Sequence, residues 1–88
     1  MIDKQIAEMI VLDNGIDNQI KKCVEELCEL SSALMKNDSD LHICEEMADV
    51  YIMLEQLKVI MEKKLLGQNV GNILSNFTRA KMKRLGYD

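Results

Sequence analysis

The chain has no proline, no tryptophan, four glycines and only three aromatic residues in 88 positions. Without proline, breaks between elements must come from Gly and from clusters of Asn, Asp and Ser. Cysteine is scarce and odd in number, at three, which excludes a closed set of intramolecular disulfides and points to a reducing compartment. No apolar run approaches the roughly 18–20 residues that a membrane span needs. The N-terminus carries Asp3 and no basic-then-apolar leader pattern, so the expectation is a soluble, cytoplasmic protein. What is present is 48% apolar and 30% charged residues, with seven Met and abundant Leu, Ile, Glu and Lys. That mixture favours folded helix over disorder. The length fits one domain, residues 1–88. A chain this short buries only about 60–65% of its unfolded surface, so it needs a disulfide, a metal or a partner subunit. With disulfides set aside, metal or oligomerisation remains.

The net charge of −4 is unevenly placed: residues 1–55 hold 13 acidic and 4 basic side chains, residues 56–88 hold 2 acidic and 7 basic. An acidic first part and a basic tail can each serve function, or be solvated faces. The acidic total disfavours non-specific nucleic-acid binding, although the tail alone does not.

Three breaks stand out: Asp13-Asn14-Gly15, Lys36-Asn37-Asp38-Ser39-Asp40 and Gly67-Gln68-Asn69-Val70-Gly71; Gly86 ends the pattern. The segments between them run over 2–12, 16–36, 40–66 and 70–85. Ile20, Cys23, Leu27, Leu30 and Leu34 recur at helical steps in the second segment. Cys44, Met47, Tyr51, Leu54, Leu57 and Met61 do so in the third. Asp17 and Asp40 are placed at or near N-caps, and Lys63 and Lys64 suit a helix C-terminus. No segment alternates at period two. The expected fold is an all-α, four-helix chain whose two long central helices, joined by a short loop, lie antiparallel.

The acidic residues of those central helices carry the chemistry. Glu26 and Glu29 are three apart on the second helix, and Glu46 and Asp49 are three apart on the third. Each pair shares a helix face at the edge of the apolar stripe. Packed together, the two helices bring four carboxylates to one point, where they repel one another. A divalent cation removes that conflict, and an all-oxygen set suits Mg²⁺ or Mn²⁺. Acidic i,i+3 pairs are also a common solvated pattern; two of them on adjacent helices are less ordinary.

Other metal chemistry fits worse. A bundle-type di-iron site wants Glu-x-x-His, and no Glu precedes His42, the only histidine, by three. A calcium loop starting at Asp38 would put Ile43 where Gly belongs. Cys23, Cys28, Cys44 and His42 lack zinc-site spacing. His42 reads as an ordinary first-turn residue, the three Cys as small core residues, and Tyr51 and Phe77 as core aromatics.

VEELCELSSAL at 24–34, followed by EEMADVYIML at 45–54, resembles the MazG-like all-α nucleoside triphosphate pyrophosphohydrolases, whose signature is E-x-x-E, a spacer, then E-x-x-D on the next helix. Glu26, Glu29, Glu46 and Asp49 match it, and the likeness covers roughly residues 16–85. It implies cleavage of a nucleoside triphosphate between the α- and β-phosphates, giving monophosphate and pyrophosphate, with Mg²⁺ (or Mn²⁺) held by the four carboxylates. By the same resemblance Glu25 is the candidate to position or deprotonate the attacking water. Lys22 sits where many members carry a base. Lys81 and Arg84 fall near the family's basic tail residues and would bind the phosphates, although many members have an Asn in the register of Lys81. Asn76 is a further candidate. Members of this size form homodimers or homotetramers, with nucleotide-pool control as a common role. Two other readings stand beside this one: a catalytically inactive helical module that binds nucleotide or protein, and a nucleic-acid binder using the Lys58–Arg84 region.

Overall fold

Asp3 starts the first helix by accepting the Ile6 N–H on Oδ1 at 2.9 Å. The computed structural model describes residues 2–87, and in it this cap opens α1, Lys4–Asn14. Three helices follow: α2, Ile16–Met35; α3, Asp40–Lys64; and α4, Val70–Arg84. No strand occurs among the described residues, so the all-α expectation holds. The boundaries differ from the sequence reading at α1, which begins two residues later because Asp3 sets its start and also ends two later, and at α3, which ends two residues earlier.

A single residue, Gly15, separates α1 from α2. Its φ of 88° and ψ of 149° lie in a region essentially restricted to glycine. Asp17 therefore lies in the first turn of α2 and is not its cap. Ser39 caps α3, its Oγ accepting the His42 N–H at 3.2 Å, with Asp40 in the first turn behind it. Asn69 caps α4 by accepting the Asn72 N–H at 2.9 Å. Lys63 and Lys64 occupy the last turn of α3, as expected. The last three helices end alike. Asp38, Gly67 and Tyr87 donate N–H groups back to the carbonyls of Ala33, Glu62 and Met82, with Asn37, Leu66 and Gly86 at positive φ between.

Helices α2 and α3 pack along a stripe that is only partly apolar. Gln19, Cys23, Glu26 and Ala33 are buried on α2; Glu46, Met53, Gln56, Val59 and Ile60 are buried on α3. Ala7 and Val11 of α1 complete a small core with Val59 and Ile60, and Lys4 is tied to Glu62 at 2.9 Å. The apolar stripes read from the sequence lie beside this seam rather than in it. Cys23 is buried, but Leu27, Leu34, Met47, Tyr51 and Leu54 are exposed. Cys28 and Cys44 are exposed too, against their assignment as core residues. Phe77, also expected in the core, is 63% exposed. The physical reason is that the seam is filled by the side chains one position round the helix, including two carboxylates and two amides.

Helix α4 touches α3 alone, buries only Val70, and is exposed from Leu74 onward. The molecule measures 41 × 40 × 20 Å, with a radius of gyration of 14.9 Å. A compact chain of this length has a radius near 12 Å.

Candidate metal centre

The paired carboxylates converge. One ligand oxygen from each of Glu26, Glu29, Glu46 and Asp49 lies within 4.8 Å of the others. Glu26 and Glu29 are adjacent on one face of α2 because they are one turn apart, as are Glu46 and Asp49 on α3. The α2–α3 seam then sets the two faces together. Gln19 bonded to Gln56 fixes one end of that seam, and Glu29, Ser32 and Lys36 share a cavity of about 200 Å³ with Asp38, His42 and Glu46 at the other.

The two inner acids are matched in environment. Glu26 is 7% exposed and Glu46 is 9% exposed. Each has one oxygen facing a base four residues before it: Lys22 Nζ is 3.2 Å from Glu26 Oε1, and His42 Nε2 is 3.4 Å from Glu46 Oε1. Each leaves Oε2 buried with no hydrogen-bond partner. A buried, unpaired carboxylate oxygen is costly and calls for an explanation. Two such oxygens, among four carboxylates and on facing helices, fit a hard divalent cation. Glu29 registers the crowding: charge repulsion from Glu26, and less so from Glu46, raises its pKa above the ordinary 4.5, while Lys22 acts in the opposite direction. The hydrogen bond to Glu26 holds Lys22 above its own ordinary 10.5.

The remaining sequence candidates divide. Lys22 stands at the cluster. Glu25 is on the exposed side of α2, 3.9 Å from Lys22, at the rim rather than inside. Lys81 and Arg84 are exposed on α4, which makes no contact with α2, and no described contact joins them to the carboxylates. Asn76 is likewise exposed on α4. Sequence reading took His42 for an ordinary first-turn residue, whereas it stands 3.4 Å from Glu46. The signal was its i,i+4 spacing to Glu46, which the search for Glu-x-x-His did not test. Comparison with protein-family models, curated proteins and solved structures finds no match to this chain. No helix among the described residues is long and apolar enough to cross a membrane.

Proposed function

We propose that the chain is a Mg²⁺-dependent nucleoside triphosphate pyrophosphohydrolase of the MazG-like type. The reading is supported chiefly by the four clustered carboxylates with their two orphaned, buried oxygens. Glu26, Glu29, Glu46 and Asp49 would hold Mg²⁺, with Mn²⁺ an alternative ion. The bound cation would supply charge neutralisation of the phosphates and a lowered pKa for the attacking water. The chain's own residues do the rest. Glu26 and Glu46 present oxygens already stripped of competing partners, so little reorganisation accompanies ion binding. Glu25, at the rim, would accept a proton from water arriving from solvent. Lys22, 3.2 Å from Glu26, would share its charge between that carboxylate and an incoming phosphate. The products would be a nucleoside monophosphate and pyrophosphate.

The assembly belongs to the same proposal. The central helices would run antiparallel, since Gln19 pairs with Gln56 while the later residues 26 and 29 meet the earlier 46 and 49. Apolar residues left outside the seam would be covered in a homodimer or homotetramer. Phosphate contact by Lys81 or Arg84 would then require α4 of a second subunit to approach the cluster.

The test is pyrophosphate release from a panel of ribo- and deoxyribonucleoside triphosphates with and without Mg²⁺. Glu46→Gln and Asp49→Asn should abolish turnover with helicity retained. Full activity in both variants, or no pyrophosphate from any triphosphate, would overturn the assignment. Mg²⁺-dependent nucleotide binding without pyrophosphate release would indicate the inactive binding module instead.

A further inference from the structure

Helix α3 is apolar on more sides than its own chain covers. Met53, Gln56 and Ile60 are buried in the seam, and Met47, Tyr51 and Leu54 line a shallow pocket with Leu30. A third stripe, Leu41, Ala48 and Ile52, recurs at steps of seven and four residues along the outer edge, and all three residues are exposed. Helical spacing sets Glu45 and Asp49 beside that stripe on the cluster side and Glu55 on the other. A helix that is apolar all round is a buried helix, so this edge calls for a cover.

Helix α4 is the unpartnered element of matching chemistry. It touches α3 alone within its own chain. Its Leu74 and Phe77 are exposed, and Lys81 and Arg84 continue the same face at helical steps. Residues 63–87 hold six bases and no acid, whereas residues 1–62 hold 14 acids and 5 bases. A purely cationic arm on an acid-rich body is self-complementary, so two copies can pair reciprocally. The direction of pairing follows from charge as well. Asp40 heads the line of Met47 and Leu54, and Lys58 lies at its other end, seven residues past Tyr51. Antiparallel packing of α3 on α3 across that line sets Asp40 against Lys58, while parallel packing sets like against like. It also brings the end of α3, where α4 begins, level with the start of α3 in the second copy. Helix α4 has 15 residues and spans about 22 Å, enough to run from there along the outer edge to the level of Asp49 and Glu55.

We propose that α4 is an exchanged arm. It seats on Leu41, Ala48 and Ile52 of a second copy, and each carboxylate cluster receives Lys81 and Arg84 from the neighbouring chain. The cluster is then incomplete in a single chain, because the positive charge that phosphates need beyond the metal comes from the other. The inference rests on the assembly proposed above and not on hydrolysis of a triphosphate.

The test starts with self-association of the full-length chain, measured by sedimentation without metal or nucleotide. Lys81→Glu with Arg84→Glu should weaken it about tenfold or more, and so should Glu45→Lys with Glu55→Lys, because each sets like charges together. Mixed in equal amounts, the two variants should pair with each other in preference to themselves, since the mixed pair has opposite charges at both arms; that recovery also shows that both are folded. Unchanged association in both variants, or no preference on mixing, would overturn the arm. So would retention of a single-stranded oligonucleotide through Lys81 and Arg84 with association unaffected by their replacement, which would assign α4 to nucleic acid. Turnover then separates the arm from the reaction. Asp49→Asn and the double variant Lys81→Ala with Arg84→Ala should each be inactive alone. Mixed, half of the pairs combine the two and one of their two sites is intact, so about one quarter of wild-type turnover should return. Preferential pairing with no pyrophosphate from any preparation keeps the arm and removes the hydrolase reading. Wild-type turnover with no recovery on mixing keeps the hydrolase and removes the arm.

Discussion

Gln19 donates its side-chain N–H to the Gln56 side-chain oxygen at 2.6 Å, inside the α2–α3 seam, with both residues buried. Gln56 in turn points its own amide nitrogen at Met53 Sδ, 3.7 Å away. The pair gives the seam a fixed register, since sliding α2 by one turn leaves both amides buried and unpaired. Gln56→Leu should therefore destabilise the fold by about 1–3 kcal/mol, the cost of one orphaned amide. Replacing both residues by Leu should recover most of that loss. Urea unfolding of the single and double variants at one protein concentration decides it; a neutral Gln56→Leu would show that the hydrogen bond carries no net stability.

The carboxylate cluster makes stability depend on pH in an unusual direction. Glu29 has its pKa raised in the folded state, chiefly by Glu26. A raised carboxyl pKa means that the native state binds the proton more tightly than the unfolded chain. Its contribution is then fully present below the ordinary value of 4.5 and is lost as pH rises through the higher folded value. In chelator, the Glu29 contribution should favour mildly acidic over neutral conditions. Saturating Mg²⁺ should remove that slope, and Glu29→Gln should flatten it without metal. Thermal melts across this pH range, with chelator and with Mg²⁺, measure both effects. An identical pH profile in wild type and Glu29→Gln would show that the repulsion is fully screened.

Much of this arrangement was legible in the sequence, because it depends on local spacing. Glu26 with Glu29 and Glu46 with Asp49 are neighbours on any α-helix, and the Asn, Asp and Gly clusters mark where the helices stop. The rotation of each helix about its own axis was not legible. Apolar periodicity alone put Leu27, Met47 and Tyr51 inward, whereas the seam takes Gln19, Glu26, Glu46 and Gln56. Hydrophobicity ranks candidates for burial but does not tell a seam within one chain from a face left for another. The location of Lys81 and Arg84 was not legible either, since the direction of α4 depends on the turn around Leu66 and Gly67 and not on any property of α4.

That turn contains an ill-suited residue. Leu66 adopts a φ of 56° at the end of α3 and is 95% exposed. Asn37 holds the equivalent position after α2 at φ 54°, where Asn is well tolerated. A left-handed conformation costs a residue with a full side chain roughly 1–2 kcal/mol, partly offset by the extra freedom that glycine gives the unfolded chain. Leu66→Gly should thus raise stability by about 0.5–1 kcal/mol, while Leu66→Ala, which keeps the Cβ, should not. Chemical denaturation of both variants checks this. A loss of stability in Leu66→Gly would mean that the exposed side chain makes contacts beyond its own chain.

The exposed surface carries a separate expectation, that a second copy covers part of it. The chain presents 6723 Å² to solvent, about 1,400 Å² more than the area scaling for monomers of 10.1 kDa gives. A stable dimer buries about 800 Å² on each partner, so the excess is enough for one interface and part of a second. The α2–α3 pair carries the apolar residues for it. Met47, Val50, Tyr51 and Leu54 line a shallow pocket with Leu30, and Leu27 and Leu34 lie one turn to either side of Leu30. Wild-type protein should elute with at least twice the mass of 10.1 kDa and melt at a temperature that rises with concentration. Tyr51 is 47% exposed within the chain, so Tyr51→Glu is tolerable in a monomer but buries an unpaired charge in a dimer. It should shift the mass to that of a single chain while circular dichroism still reports helix. A wild-type monomer with a concentration-independent melt would refute the shared face. If Tyr51→Glu lost its helical signal altogether, the single chain would have no stable fold of its own, and its small core of Ala7, Val11, Val59 and Ile60 would depend on the neighbouring copy.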